Sequence, residues 1–222
     1  MTTRVKSIIF DFDGVIAQSV DIKTRAFAYL FRQYSEEAVK SIVKYHVENG
    51  GRSRFLKFKY IHENIIHKPY DETIEKRLSE EFSKFVFEEV VKCPYVPGAA
   101  EFIEKHSGSY IFFIVSGTPD GEMKQIAEAR RIAAHFRGIY GSPVKKGQWV
   151  KSILEKNDFK NSEAIFIGDS LDDYKGAAEN GCHFIGVVAD GAFNAFKDTG
   201  CKYFVKDLTE LENVIKKIEG EL

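Results

Sequence analysis

The sequence predicts an α/β fold in which a parallel sheet lies between two layers of helices, with a helical segment inserted after the first strand. Three observations support this prediction. Short apolar runs alternate with helical segments over most of the chain, as in parallel sheets with right-handed crossovers. Residues 21–89 show helical periodicity and no strand pattern. Three of the apolar runs also end in polar or acidic residues, at the position where open α/β sheets bind ligands.

The first predicted strand is the apolar run SIIF at residues 7–10, within the stretch KSIIFDFDGVIAQS. A continuous apolar run this short is typical of a strand buried on both faces. It leads directly into Asp11 and Asp13, so two carboxylates lie at its carboxyl end. A lone DxD pair is most often a solvated turn, but its position after such a strand favours an active site.

The inserted segment is predicted to contain about four helices. Apolar residues recur there at helical spacing, and Gly50-Gly51 and Pro69 separate the runs. We therefore predict two domains, with residues 1–18 and 93–222 forming the main α/β domain and residues 19–92 forming an inserted helical domain, called the cap below. The simplest interpretation of the cap's Phe and Tyr residues is core packing.

The remaining elements alternate between strand and helix. Pro119 suits the start of a helix, where its missing N–H group costs nothing. Strands are predicted at residues 110–115, 139–140, 164–167, 184–188 and 203–205. Helices are predicted at residues 148–156 and 208–218, around residues 102–103 and 177–178, and from residue 119 onward.

Composition excludes several classes of protein. The chain has 222 residues, 44% of them apolar, with 32 basic and 33 acidic residues, so neither nucleic acid nor a membrane surface is expected as a partner. No apolar stretch approaches the roughly 18 to 20 residues of a membrane-spanning helix. Three separated cysteines without a CxxC motif indicate reduced thiols, and no signal peptide is evident, so we predict a cytoplasmic protein.

The strand ends predict a phosphate and metal site. DFDG, SGT and GDS follow three buried strands, so Asp11, Asp13 and the acidic residues at 169, 172 and 173 should gather at one sheet edge. So many carboxylates require a hard cation, and Mg²⁺ uses carboxylates, water and substrate phosphate. Ser116 and Gly117 precede a helix N-terminus, whose free N–H groups suit a phosphate. Lys145 or Lys146 could neutralise the remaining charge. Together these groups indicate phosphoryl transfer.

These motifs, in this order, resemble the haloacid dehalogenase superfamily of phosphohydrolases. The matching residues are DFDGV at 11–15, Ser116 of VSGT, the lysine near Pro143, and GDSLDD at 168–173. The helical insertion between the first two motifs is similar to the C1 cap of the phosphoglycolate phosphatase and β-phosphoglucomutase branch. The resemblance covers nearly the whole catalytic domain and implies a Rossmann-like α/β/α core that hydrolyses a small phosphorylated metabolite with Mg²⁺.

By this resemblance, Asp11 is the nucleophile that forms an aspartyl-phosphate. Asp13 is the general acid and base, and its backbone carbonyl meets the metal. Asp169 is a direct metal ligand and Asp173 holds the metal's waters, whereas Asp172 only neighbours that shell. The phosphoryl group is gripped by Ser116, the Gly117 amide and a lysine, for which the family's register favours Lys146 over Lys145.

The cap offers further candidates in the basic turn Gly50-Gly51-Arg52-Ser53-Arg54. Arg54 resembles the cap arginine that binds a distal phosphate in β-phosphoglucomutase relatives, and a guanidinium suits a phosphate or a carboxylate. Arg54 or Arg52 is therefore expected to contact the non-reacting end of the substrate. A solvated arginine near a helix start is the competing interpretation. The six histidines, by contrast, are scattered and are expected to have structural or solvent roles.

The sequence leaves several alternatives to a phosphatase. Asp13 argues against dehalogenase chemistry, because relatives with that activity lack the second aspartate. A phosphomutase shares the core, but mutase relatives carry a histidine where this chain has Lys23. A phosphonatase would need a Schiff-base lysine in a much smaller cap, and Lys23 is the residue to test. A catalytically idle binding protein is the non-enzymatic alternative, although every expected catalytic residue type is present. The sequence leaves the oligomeric state open.

Overall fold

Parallel strands form the centre of the fold. The computed structural model describes residues 4–192 and 194–221. The strands are β1 Ser7–Phe10, β2 Ile111–Pro119, β3 Phe136–Ser142, β4 Ala164–Gly168, β5 His183–Val187 and β6 Tyr203–Val205. They lie in the sheet in the order β3-β2-β1-β4-β5-β6. The predicted α/β fold with a parallel sheet is thus confirmed.

The central strand β1 pairs with β2 on one side and β4 on the other. Ser7 lies opposite Ile111 in one neighbour and Ala164 in the other. Its next three side chains are fully buried, and they alternate between two apolar clusters, with Ile8 and Phe10 in one and Ile9 in the other. Helices cover both faces of the sheet, so every position of this strand favours an apolar residue.

Residues 19–92 contain four α-helices, as the periodicity predicts. They are α1 Val20–Leu30, α2 Glu36–Glu48, α3 Arg54–Tyr60 with a π-helical turn at Ile61–Ile65, and α4 Glu72–Lys92. The Ser35 and Asp71 side chains cap α2 and α4 by accepting backbone N–H bonds. Phe27, Phe58 and Phe82 pack against one another between these helices, which agrees with a core role for the cap's aromatic residues.

The two connections between these helices and the sheet lie side by side. Ala17 and Tyr95 form an isolated antiparallel bridge, and the Gln18 amide donates to the Pro94 carbonyl at 3.0 Å. The predicted domain boundaries at residues 18 and 93 fall beside this bridge. The boundaries themselves stay a prediction.

The remaining helices are α5 Ala99–His106, α6 Asp120–Ala129, α7 Lys146–Asn157, α8 Leu171–Ala178 and α9 Leu211–Gly220. Short 3₁₀ turns lie at Ala133–His135, Asn161–Glu163 and Leu208–Glu210. No helix among the described residues is long and apolar enough to cross a membrane.

The structure corrects three predicted boundaries. Strand β2 continues through Ser116-Gly117-Thr118 to Pro119, which caps α6 and is not its first residue. Strand β3 spans seven residues, although only two were predicted, because its partly exposed edge lacks a continuous apolar run. Helix α7 begins at Lys146, two residues before the predicted start.

Candidate active site

The predicted motifs meet at the carboxyl edge of the sheet. Asp11 follows β1, Gly117 and Thr118 end β2, Lys146 starts the helix after β3, and Asp169 follows β4. This edge forms the floor of a cavity of about 420 Å³, and the helices of the insertion supply the opposite wall.

Three carboxylates crowd together at this edge. Asp11, Asp169 and Asp173 each place one oxygen within 4.8 Å of the other two. Burial raises the pKa of Asp11 to about 7 and that of Asp169 well above its usual range, and mutual repulsion adds to both shifts. Gly14 has a positive φ of 77°, and a side chain there would clash with the Asp169 carboxylate.

This arrangement fits a divalent cation. Asp11 Oδ1 is buried without a hydrogen-bond partner among the described residues, so a ligating oxygen is available. Oxygen atoms are the ligands that Mg²⁺ prefers. Asp173 differs, because Oδ2 accepts from the Ser170 amide at 3.0 Å and from its hydroxyl at 2.6 Å, and Oδ1 accepts from Lys146. Its oxygens are already engaged by protein donors, which suits a supporting position around a metal.

Lys146, and not Lys145, reaches the site. Its Nζ lies 3.1 Å from Asp11 Oδ2 and 2.5 Å from Asp173 Oδ1. Burial opposes the charged form, but these two carboxylates outweigh it and raise the pKa of Lys146 above its usual value. Lys145 is exposed at the N-cap of α7. A charged ammonium group therefore lies beside Asp11.

Asp13 is held by three donors. Ser19 Oγ donates to Oδ1 at 2.5 Å, while Lys23 Nζ and Thr118 Oγ1 both donate to Oδ2, the latter at 3.3 Å. Lys23 also donates to Thr118 Oγ1 at 2.7 Å. Burial alone would raise the pKa of Asp13, but Lys23 and the hydrogen bond from Ser19 hold it below the usual value.

The SGT segment divides into two parts. Gly117 and Thr118 line the cavity. The backbone of Gly51 approaches Gly117 so closely that a side chain at position 117 would lie 2.5 Å from the Gly51 carbonyl oxygen. Ser116 is buried, and its Oγ accepts a hydrogen bond from the Thr118 amide at 3.1 Å.

The two predicted cap arginines line the cavity but have protein partners. Arg54 is buried and donates to Glu122 at 2.5 Å and to Ser83 Oγ at 2.7 Å. Arg52 is partly exposed, with its Nε 3.9 Å from Asp172 Oδ2. The Arg54 charge is therefore neutralised by Glu122 of α6, whereas Arg52 keeps a loose and partly solvated pairing.

Sequence reasoning missed several residues at the site. From the sequence, Ser19 is only the first residue of the predicted cap, Lys23 only a departure from mutase relatives and a phosphonatase candidate, and Thr118 only part of the SGT motif. The spacing of four residues brings Lys23 of α1 and the N-cap residue Ser19 to one side of the helix, which is the available signal. His46 and Lys57 also line the cavity and carry no motif of their own.

The comparison with known families decides the identity of the chain. Residues 8–187 match the model of the haloacid dehalogenase-like hydrolase family. The chain belongs to this family. Among curated proteins, a phosphoglycolate phosphatase of Vibrio parahaemolyticus is 26% identical over 199 residues, which cover 83% of this chain and 84% of the relative.

Solved structures share the fold of this haloacid dehalogenase-like hydrolase. A Haemophilus somnus protein described as a predicted phosphoglycolate phosphatase has a TM-score of 0.76 at 17% identity, covering 96% of this chain and 99% of its own. The hydrolase YfnB of Bacillus subtilis, bound to magnesium, has a TM-score of 0.71 at 17% identity with the same coverage. At these identities the likeness concerns the fold.

Proposed function

We propose that the chain is a Mg²⁺-dependent phosphatase that hydrolyses a small phosphomonoester through an aspartyl-phosphate on Asp11. The chain is a phosphohydrolase of its family. The observation that carries the mechanism is the position of Asp11 at the cavity floor. Its Oδ1 is buried without a hydrogen-bond partner in the described part of the chain, and Lys146 lies 3.1 Å from its Oδ2. A carboxylate so placed can attack phosphorus while the lysine offsets the charge of the phosphoryl oxygens.

The reaction proceeds in two displacements. In the first, an Asp11 oxygen bonds to phosphorus, the ester P–O bond breaks, and Asp13 gives a proton to the departing alkoxide. In the second, ionised Asp13 takes a proton from water as the water oxygen bonds to phosphorus, and the Asp11–phosphorus bond breaks to release phosphate. Lys146 and the Gly117 amide hold the phosphoryl oxygens, with Ser116 supporting the segment.

The cation would be held by the Asp11 and Asp169 carboxylates and by the backbone carbonyl of Asp13. Mg²⁺ bound there offsets the negative charge of the carboxylates and the phosphoryl group. Asp173 would hold its waters and orient Lys146. The raised pKa values of Asp11 and Asp169 support this assignment, because a cation removes the repulsion that contributes to them.

Hydrolysis of p-nitrophenyl phosphate with Mg²⁺ tests the mechanism. We expect Asp11→Asn to lower kcat by at least about a thousandfold and chelation by EDTA to abolish turnover reversibly. Asp21→Asn is the matched control, since that side chain is 83% exposed, and it should retain full activity. Equal activity of the wild type and Asp11→Asn, with both proteins folded by circular dichroism, would exclude the aspartyl-phosphate.

The substrate is proposed to be a small phosphorylated metabolite, and the name of the Vibrio relative makes phosphoglycolate the first compound to assay. Lys23, at the position where mutases carry histidine, is ion-paired with Asp13. We accordingly favour hydrolysis over the phosphomutase reaction, in which the phosphoryl group is transferred back to the substrate. The cytoplasmic location remains a prediction, supported by three free cysteines.

A further inference from the structure

One buried cation in the cavity wall has no counter-ion among the described residues. Among the described residues, the buried lysine and arginine side chains are Arg54, Lys57 and Lys146. Arg54 pairs with Glu122, and Lys146 pairs with Asp11 and Asp173. Lys57 is 2% exposed, and within the described part of the chain its ammonium group has only neutral hydrogen-bond partners.

The partners of Lys57 are His46 and a backbone carbonyl. Its Nζ lies 3.0 Å from His46 Nδ1 and 2.8 Å from the Gly50 carbonyl oxygen. Two of its three N–H groups are thereby used. Burial, and the nearby charge of Lys23, lower the pKa of Lys57 to about 7. A buried ammonium group gains its full stabilisation only when an anion reaches it.

His46 adds a second donor on the same wall. Because its Nδ1 accepts from Lys57, the neutral imidazole carries its proton on Nε2. Burial, and then the Lys57 charge, lower the pKa of His46 to about 2, which keeps the ring neutral. Nε2 has no hydrogen-bond partner among residues 4–192 and 194–221, and His46 lines the cavity. An N–H donor therefore accompanies the ammonium group.

Of the other cations that line the cavity, Lys23 pairs with Asp13 on the floor and Arg54 pairs with Glu122. Lys175 is exposed, and Arg52 is partly exposed beside Asp172, so neither is a buried charge. We infer that Lys57 and His46 bind a second anionic group, carried by the leaving group of the phosphomonoester. This inference rests on the proposed phosphatase function and names its substrate class as esters that bear a carboxylate or a second phosphate. Lys57 is then a specificity-determining residue.

Matched substrate pairs test this inference. The first pair is 2-phosphoglycolate and 2-hydroxyethyl phosphate, which differ in carboxylate against hydroxyl. The second is propane-1,3-diol bisphosphate and its monophosphate. We expect wild-type kcat/KM to favour the anionic member of one pair by roughly 10- to 100-fold, the range of a charged hydrogen bond. The favoured pair identifies carboxylate or phosphate as the recognised group.

The variant Lys57→Met keeps the length of the side chain and removes its charge. Lys57→Met should lose most of this preference because kcat/KM falls for the anionic member alone. For the neutral member, kcat/KM should stay within threefold of the wild-type value. Lys59→Met is the control, because Lys59 lies on the same helix with its side chain 59% exposed, and it should keep the preference. His46→Gln should reduce the preference partially.

Binding to Asp11→Asn separates this inference from the proposed reaction. Calorimetry with Mg²⁺ should show the same preference for the anionic member in Asp11→Asn and its loss in Asp11→Asn/Lys57→Met, whether or not the wild type turns over. Equal binding of both members of each pair by Asp11→Asn would overturn the inference. So would a Lys57→Met variant that stays folded and loses activity equally on charged and neutral esters.

Discussion

Lys23 gives Asp13 a protonation state that burial alone would not allow. Asp13 lies close enough to Asp11 and Asp169 to raise the pKa of each, and desolvation favours its own neutral form. The Lys23 ammonium group contacts Asp13 directly and also donates to Thr118, which itself donates to Asp13. The lysine thus fixes the carboxylate in place and favours the ionised form that takes a proton from water in the second displacement, whereas the first displacement uses the protonated form.

Removing the Lys23 charge should shift the pH dependence of turnover. Lys23→Met removes the largest influence that opposes burial, so the pKa of Asp13 rises and the carboxylate is protonated at higher pH. With p-nitrophenyl phosphate the leaving group needs no proton, so turnover depends on ionised Asp13 in the second displacement. The acid limb of the kcat–pH profile should therefore shift to higher pH.

Lys145→Met is the matched control for this experiment. Lys145 is exposed and lies outside the site, so its profile should overlay that of the wild type. An unmoved acid limb in a folded Lys23→Met protein would show that Lys23 does not set the protonation of Asp13.

At the scale of elements, the backbone of the turn between α2 and α3 packs directly against the site. A side chain on Gly51 would clash with Ser170 Oγ and lie 2.9 Å from Lys146 Nζ, and one on Gly117 would meet the Gly51 carbonyl. Two glycines from distant parts of the chain therefore allow this turn to pack against the phosphoryl-binding edge. The turn closes the cavity above Lys146.

We expect Gly51→Ala to lower kcat/KM by about tenfold or more, because the added methyl group displaces Lys146 or Ser170 from its partners. The free energy of unfolding should change little, since the turn can shift away from Ser170 and Lys146. Steady-state kinetics and thermal melts measure the two effects separately. Gly108→Ala is the control, because a side chain there meets nothing within 4 Å. Wild-type kinetics in Gly51→Ala would refute the close packing of the turn.

The strand ends could be predicted from sequence because each apolar run is buried on both faces and stops at a charged or small residue. Asp11 and Asp169 follow such runs directly. Lys57 and His46 could not be predicted in the same way, because their role depends on how α2 and α3 pack over the sheet. Lys146 lies between these cases, since the register of the family resemblance favours it, but only the start of α7 turns Lys146 inward and Lys145 outward.

At the scale of the whole molecule, a buried ion pair joins the inserted helices to the core. Arg54 of α3 donates to Glu122 of α6 and to Ser83 of α4, and Ser83 Oγ donates to Glu122 at 2.5 Å. The guanidinium group also lies 4.4 Å from the centre of the Phe82 ring. The arginine predicted to bind substrate therefore links the inserted helices to α6 of the sheet layer.

Removing the charge of one partner of the Arg54–Glu122 pair should lower the free energy of unfolding, whereas replacing both partners should lower it much less. Glu122→Gln leaves the Arg54 charge buried without a carboxylate, and we expect a loss of about 3 kcal/mol in the free energy of unfolding by urea. Arg54→Met/Glu122→Met should recover most of that loss, because no charge remains to be desolvated. Glu128→Gln, on the exposed face of the same helix, should have no effect. If Glu122→Gln were as stable as Glu128→Gln, the ion pair would not hold the inserted helices against the core.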